Sequence, residues 1–189
     1  MPKKLVRVLA LVMALGLIAA ACGSDDDNAE TPLNNGTATF NGKEVLLEFG
    51  HLQQLLPDLN PLPLETDLTI FSVGFTTAEV NGITNVIGGK GSKICISLMS
   101  SKAKELSPGK YQYNVQSPDE SFEWTSAEYI SQIDYTSVSG NPDDAHMDFN
   151  KGYVIVEKVG NNYNIDFSLA NSNDQILTGK YSGPLQWLP

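Results

Sequence analysis

Arginine does not occur after Arg7, and the 189 residues hold only two cysteines, two histidines and two tryptophans. Beyond Arg7 the chain thus lacks the planar bidentate donor that phosphate and carboxylate recognition favours. Its 22 acidic residues outweigh 12 basic ones, for a formal net charge of −10, and such a field repels polyanions. Nucleic acid is therefore excluded as a partner. Two cysteines, Cys22 and Cys95, are too few for a disulfide framework. Gly-x-Ser-x-Gly and His-Glu-x-x-His are both absent, which removes the hydrolase elbow and the zincin helix. No catalytic residue, cofactor or metal ligand is assigned, and the chain is not expected to be an enzyme. Long apolar runs are missing too. The longest, Val8 to Ala21, has fourteen residues, whereas crossing a hydrocarbon core takes about 20.

That short run has the parts of a secretory signal over residues 1–21. Lys3, Lys4 and Arg7 precede it, and Ala19, Ala20 and Ala21 supply the small residues of a cleavage site. Ala19-Ala20-Ala21-Cys22 resembles the bacterial lipobox, departing from it at Ala19, where leucine is commonest. The resemblance implies that the Cys22 sulfur receives a diacylglycerol, that cleavage makes Cys22 the first residue, and that acyl chains such as palmitate anchor the protein. The alternative is an ordinary secretory signal followed by an unmodified cysteine. Gly23-Ser24-Asp25-Asp26-Asp27 is similar to the export signal of Bacteroidota surface lipoproteins, which implies an outer-membrane address facing the cell exterior. Its other reading is a solvated acidic linker. With Lys3, Lys4 and Arg7 removed, nine lysines remain against 22 acidic residues, a formal net charge of −13. A lipidated Cys22 would also leave Cys95 without a partner in the chain.

Residues 22–36 are polar, with Asp25, Asp26, Asp27, Glu30, Pro32, Asn34 and Asn35, and bury too little to offset the entropy of ordering. They are expected to form a flexible acidic tether reaching at most about 50 Å. Residues 37–189 amount to one domain, and their dominant signal is period two. Val45, Leu47 and Phe49 share one parity, as do Phe71, Val73 and Phe75, and Tyr111, Tyr113 and Val115. The longest series is Tyr163, Ile165, Phe167 and Leu169 against Asn164, Asp166 and Ser168. Asn41-Gly42, Asn81-Gly82 and Gly160-Asn161-Asn162 are hairpin turns between such runs, and Pro108-Gly109 and Gly183-Pro184 mark further breaks. Ser100–Leu106 and Leu52–Leu56 are the candidates for short helices. Trp124–Tyr135 fits both periods and is read as strand. Strands buried on one face need a second layer, so an all-β fold follows: a single antiparallel β-sandwich or barrel-like domain.

Runs in the last half of the chain, Leu106–Tyr111, Gly152–Val156, Gly160–Phe167 and Leu177–Leu185, are similar to the C-terminal meander of Bacteroidota lipoproteins with an uncharacterised all-β domain. That resemblance implies the fold and no activity.

Several motifs are weighed as sites. Gly88-Gly89-Lys90-Gly91-Ser92 lacks the Lys-Ser step of a phosphate loop and is read as a hairpin turn. Cys95 lies in an apolar run and is read as packing. Pro142-Asp143-Asp144-Ala145-His146-Met147-Asp148 gathers three carboxylates and an imidazole but lacks calcium-loop spacing. It is read as a solvated acidic loop, with cation binding by residues 143–148 as the alternative. Phe122, Trp124, Tyr129 and Tyr135 stand among acidic residues such as Glu123 and Glu128. Trp124 and Tyr129 are the candidate ligand-binding residues, stacking on a neutral glycan, with core packing as the competing role. The functional expectation is a lipid-anchored module that binds a glycan or a protein at the cell surface. The alternative is an accessory envelope lipoprotein that binds another membrane protein and no small molecule.

Overall fold

A computed structural model describes residues 35–54, 63–114, 122–135 and 145–189, which belong to a compact unit spanning Pro32–Pro189. Among the described residues there are strands and turns and no helix. The strands are β1 (Gly36–Phe40), β2 (Lys43–Gln54), β3 (Leu64–Ser72), β4 (Phe75–Val80), β5 (Ile83–Ser100), β6 (Gly109–Tyr113), β7 (Glu123–Asp134), β8 (Ala145–Phe149), β9 (Lys151–Val159), β10 (Asn162–Ala170) and β11 (Ile176–Leu188). Residues 1–34, over which a signal segment, Cys22 and most of a tether were expected, lie outside the described residues. Asn35 and Gly36, read as the end of the tether, instead belong to the fold: Asn35 N–H donates to Leu47 O at 2.8 Å, and Gly36 opens β1.

Local chemistry explains the hairpins. Asn41 and Gly42 have φ of 49° and 76°, and Asn81 and Gly82 have 54° and 77°. Positive φ at both central residues is the type I′ condition, whose twist matches that of the strands it joins. The flanking pairs are Phe40 with Lys43 and Val80 with Ile83. Gly160-Asn161 connects Val159 to Asn162 in the same two-residue manner.

The pairings run in a ring. β2 pairs with β3, β3 with β5, β5 with β7, β7 with β6, β6 with β9, β9 with β10 and β10 with β11. β11 then returns to β2 through a parallel stretch, Leu185–Leu188 beside Gly50–Gln53, and β1 is wedged between the same two strands further along. The sheet is thus mostly antiparallel and barrel-like, and closure removes most of its edges. Side chains fill the ring. Leu68, Ile70, Ile94, Ile96, Leu98, Tyr111, Trp124, Val154, Val156, Ile165, Phe167, Leu169, Leu177 and Tyr181 form one buried cluster.

Departures from simple alternation have identifiable causes. The register of β2 shifts between Leu47 and Phe49, so Leu47 faces the interior whereas Phe49 turns outward. Phe71 also faces outward at the end of β3, and a turn at Val73-Gly74 separates it from Phe75. These rings meet in a second cluster of Phe71, Phe75 and Ile133, joined by Phe49, Val86 and Ile130, with Phe49 stacked on Phe71 at 4.7 Å. Val115 lies outside the described residues.

Four further expectations are corrected. Gly88–Ser92 is not a hairpin turn but the interior of β5. There the strand exchanges β4 for β7, with register shifts opposite Thr76/Thr77 and between Gly91 and Lys93. Gly183-Pro184 is not a break; it lies within β11, where pairing with β10 ends at Pro184 and pairing with β2 begins at Leu185. A proline is tolerated at such a change of neighbour because no ladder donor is required there. Leu52, Gln53 and Gln54 continue β2 rather than starting a helix, and Leu55 and Leu56 lie outside the described residues. Ser101–Glu105 forms turns rather than a helix, because the Ser100 hydroxyl organises the segment. It accepts from Lys102 and Ser107 N–H, each at 3.2 Å, and donates to Glu105 O at 2.8 Å.

Candidate functional site

Trp124 and Tyr129 do not form a platform for a ligand. Trp124 is 0% exposed and Tyr129 5% exposed, and their faces are occupied: Tyr113 packs on Trp124 at 4.6 Å and Phe40 on Tyr129 at 5.3 Å. Their polar ends are also satisfied inside the barrel. Trp124 Nε1 donates to Gly152 O at 3.3 Å, and Tyr129 OH to Ser92 Oγ at 3.3 Å. The cause is the register of β7 on β5, which shifts between Ser97 and Leu98 and so aligns both Trp124 with Leu98 and Tyr129 with Ile94, core residues of β5. Phe122 and Tyr135 keep some exposure but pack edge-on against Tyr111 and Phe75, 5.5 and 5.7 Å away.

Cys95 sits on the outer wall, a free thiol whose pKa burial pushes up to about 11, with Thr69 Oγ1 donating to its sulfur at 3.7 Å. A thiol held in that form is a poor nucleophile. His51, which the sequence offered no reason to single out, is buried beside the stacked rings of Phe49 and Phe71, with ring centroids 5.3 and 5.4 Å away. Burial holds its pKa below the ordinary value.

With the interior filled, the surface relief lies outside. Over β9, β10 and β11 the outward side chains form three rungs. Glu157, Asn164 and Ser182 make the first; Ile155, Asp166 and Lys180 the second; and Tyr153, Ser168 and Thr178 the third. β1 extends the last two with Thr37 and Thr39. A groove of about 370 Å³ lies over the first two rungs, and an adjoining hollow of about 280 Å³ shares Asp166 and Lys180 with it and reaches Tyr153. Lys180 Nζ is 3.1 Å from Asp166 Oδ2, Ser182 Oγ donates to Asn164 Oδ1 at 2.8 Å, and Lys110 Nζ stands 4.9 Å over the Tyr153 ring. Donors and acceptors thus recur at strand spacing, about 4.8 Å, beside the Tyr153 ring and the Ile155 side chain. Such a surface suits a ligand that is uncharged overall and rich in hydroxyls. The sequence signal for it was faint: Asn164, Asp166 and Ser168 read only as the polar partners of a buried series.

The acidic stretch 142–148 is not wholly a loop. Pro142–Asp144 lie outside the described residues, whereas Ala145–Phe149 form β8 against β7. His146 Nε2 lies 2.7 Å from Glu128 Oε2 and 3.4 Å from Asp148 Oδ1.

No family model matches this chain, and no curated protein or solved structure matches it.

Proposed function

We propose that this chain is a lipid-anchored cell-surface module whose β domain binds a neutral glycan on the outer wall over β9, β10 and β11. The observation that carries this reading is the continuous groove bordered by Tyr153, Ile155, Asn164, Asp166, Lys180 and Ser182, set on a barrel whose interior is occupied by its own side chains. Tyrosine offers an apolar face for a sugar ring, and the carboxylate, amide and hydroxyl groups exchange hydrogen bonds with sugar hydroxyls. The charge balance agrees, since a chain this acidic attracts no polyanion. Anchoring through Cys22 at the outer membrane, facing outward, is supported by Ala19–Cys22 and Gly23–Asp27. One diacylglycerol supplies the two acyl chains that stable anchoring takes.

The second reading, an accessory lipoprotein that binds another envelope protein, draws support from the two-stranded arm of β4 and the start of β5. This arm exposes Val80 and Ile87 at 54% and 61%. Calorimetric titration of the purified chain with a panel of neutral and acidic glycans separates the two. The glycan reading predicts saturable binding of a neutral member, weakened about tenfold by Tyr153→Ala and unaffected by Val80→Ser. No response to any glycan, or a response indifferent to Tyr153→Ala, shifts the assignment to the protein partner.

A further inference from the structure

The outer wall also carries a cluster that glycan binding does not use. Register places Glu128 of β7 directly opposite Asp148 of β8, and His146 precedes Asp148 by two residues, so alternation puts all three on one face. Their ligating atoms lie within 4.8 Å of one another. We propose that Glu128, His146 and Asp148 form a binding site for a divalent transition-metal ion, Zn²⁺ in particular.

Charge gives an independent reason for a cation here. Like charges directly opposite each other across an antiparallel pair are destabilising, yet Glu128 and Asp148 are so placed. The lysine ion pairs of the described residues go to Asp134, Glu105, Asp174 and Asp166, not to either of them. Among the described residues, the imidazole of His146 is the basic group that bridges the two carboxylates, at 2.7 and 3.4 Å. A dication coordinated by all three would balance them.

The donor set selects the metal. One imidazole nitrogen and two carboxylate oxygens depart from the all-oxygen shells of calcium and magnesium and match zinc, whose bonds to such atoms are about 2.0–2.2 Å. Donors sharing such an ion stand at most about 4.4 Å apart. The present cluster needs only a small rotamer adjustment to meet that limit, and Asp148, 85% exposed, is free to make it. Three protein ligands on an open wall leave the outward positions to water or to a second molecule. Cys95 pairs with Glu128 on the other side of β7, but the clustered ligating atoms are those of Glu128, His146 and Asp148 alone, so the site is an oxygen and nitrogen site.

The test uses the full chain, purified in mild detergent and stripped with chelator, with Zn²⁺ added in a calorimeter. One ion per chain is expected at this site. The uptake should be lost in His146→Ala and in the exposed Asp148→Asn, and retained in His51→Gln and Cys95→Ser, with thermal melting confirming that each variant is folded. Co²⁺ in place of Zn²⁺ should give a visible spectrum without a thiolate charge-transfer band. Absence of saturable uptake, uptake unchanged by both His146→Ala and Asp148→Asn, or a thiolate band overturns the proposal. Glycan binding that persists in the same variants separates this site from the groove.

Discussion

At the residue scale, Trp124 carries the heaviest packing role on β7. Its indole is enclosed by the core, with its N–H bound to Gly152 O. Trp124→Ala should therefore destabilise the fold by about 3–5 kcal/mol, read as a lower midpoint in urea unfolding. A loss below about 1 kcal/mol would contradict the enclosed position. Strict alternation would put Trp124 and Tyr129, five residues apart, on opposite faces, whereas the register shift between Ser97 and Leu98 turns both inward. That depends on which residues of β5 stand opposite, Leu98 and Ile94, information that no local pattern contains.

His51 makes a pH-dependent contribution with a definite sign. Burial beside Phe49 and Phe71 lowers its pKa from 6.5, so in the window below that value the unfolded chain binds the proton more readily than the folded one. His51 therefore costs stability as pH falls through that window. Glu48 and Asp67 act oppositely, since burial raises both from 4.5 and 3.8 and favours their protonated forms in the fold. Comparing wild type with His51→Gln isolates the histidine. Between about pH 7.5 and about pH 5.5 the wild type should lose more melting temperature than the variant. Equal losses would mean that His51 is not held neutral by its surroundings.

At the element scale, the turns that depend on two adjacent residues were legible, and the adjustments that depend on distant strands were not. Asn41-Gly42 and Asn81-Gly82 announce their geometry because positive φ is a local requirement. The shift near Glu48, the partner exchange at Gly88–Ser92 and the handover at Gly183-Pro184 each answer to a strand far away in sequence. The outer groove was illegible for the same reason: Asp166 and Lys180 become neighbours only through the β10–β11 register.

Two glycines with positive φ separate local strain from crowding. At Gly42, φ is +76° and an added Cβ would meet nothing within 4 Å, whereas at Gly152 φ is +114° and the Cβ would lie 2.0 Å from Ser168 O, in the backbone of β10. Gly42→Ala should cost about 1 kcal/mol. Gly152→Ala should cost clearly more, because the β9–β10 ladder must move to admit the methyl group. Denaturant melts of the two variants check the order, and a smaller effect at Gly152 would refute the register assigned there.

At the scale of the whole molecule, closure of the ring commits the inward side chains to packing and leaves recognition to the wall. The β4–β5 arm is tied to that wall through Thr84 and Gln186: Thr84 N–H donates to Gln186 Oε1 at 2.8 Å, and Gln186 Nε2 donates to Thr84 Oγ1 at 3.1 Å. The groove lies on β9, β10 and β11, where Asn164, Asp166, Lys180 and Ser182 point outward while Ile165, Phe167 and Tyr181 are buried. A ligand held by the wall must therefore perturb alternate residues along one strand. The most direct measurement is a side-chain and amide NMR titration of the chain with the tightest-binding neutral glycan. Side-chain resonances of Tyr153, Ile155, Asn164 and Lys180 should shift together while the Phe167 and Leu169 side chains stay unmoved. Shifts centred on the interior side chains, or on the β4–β5 arm with the groove silent, would contradict outer-wall recognition.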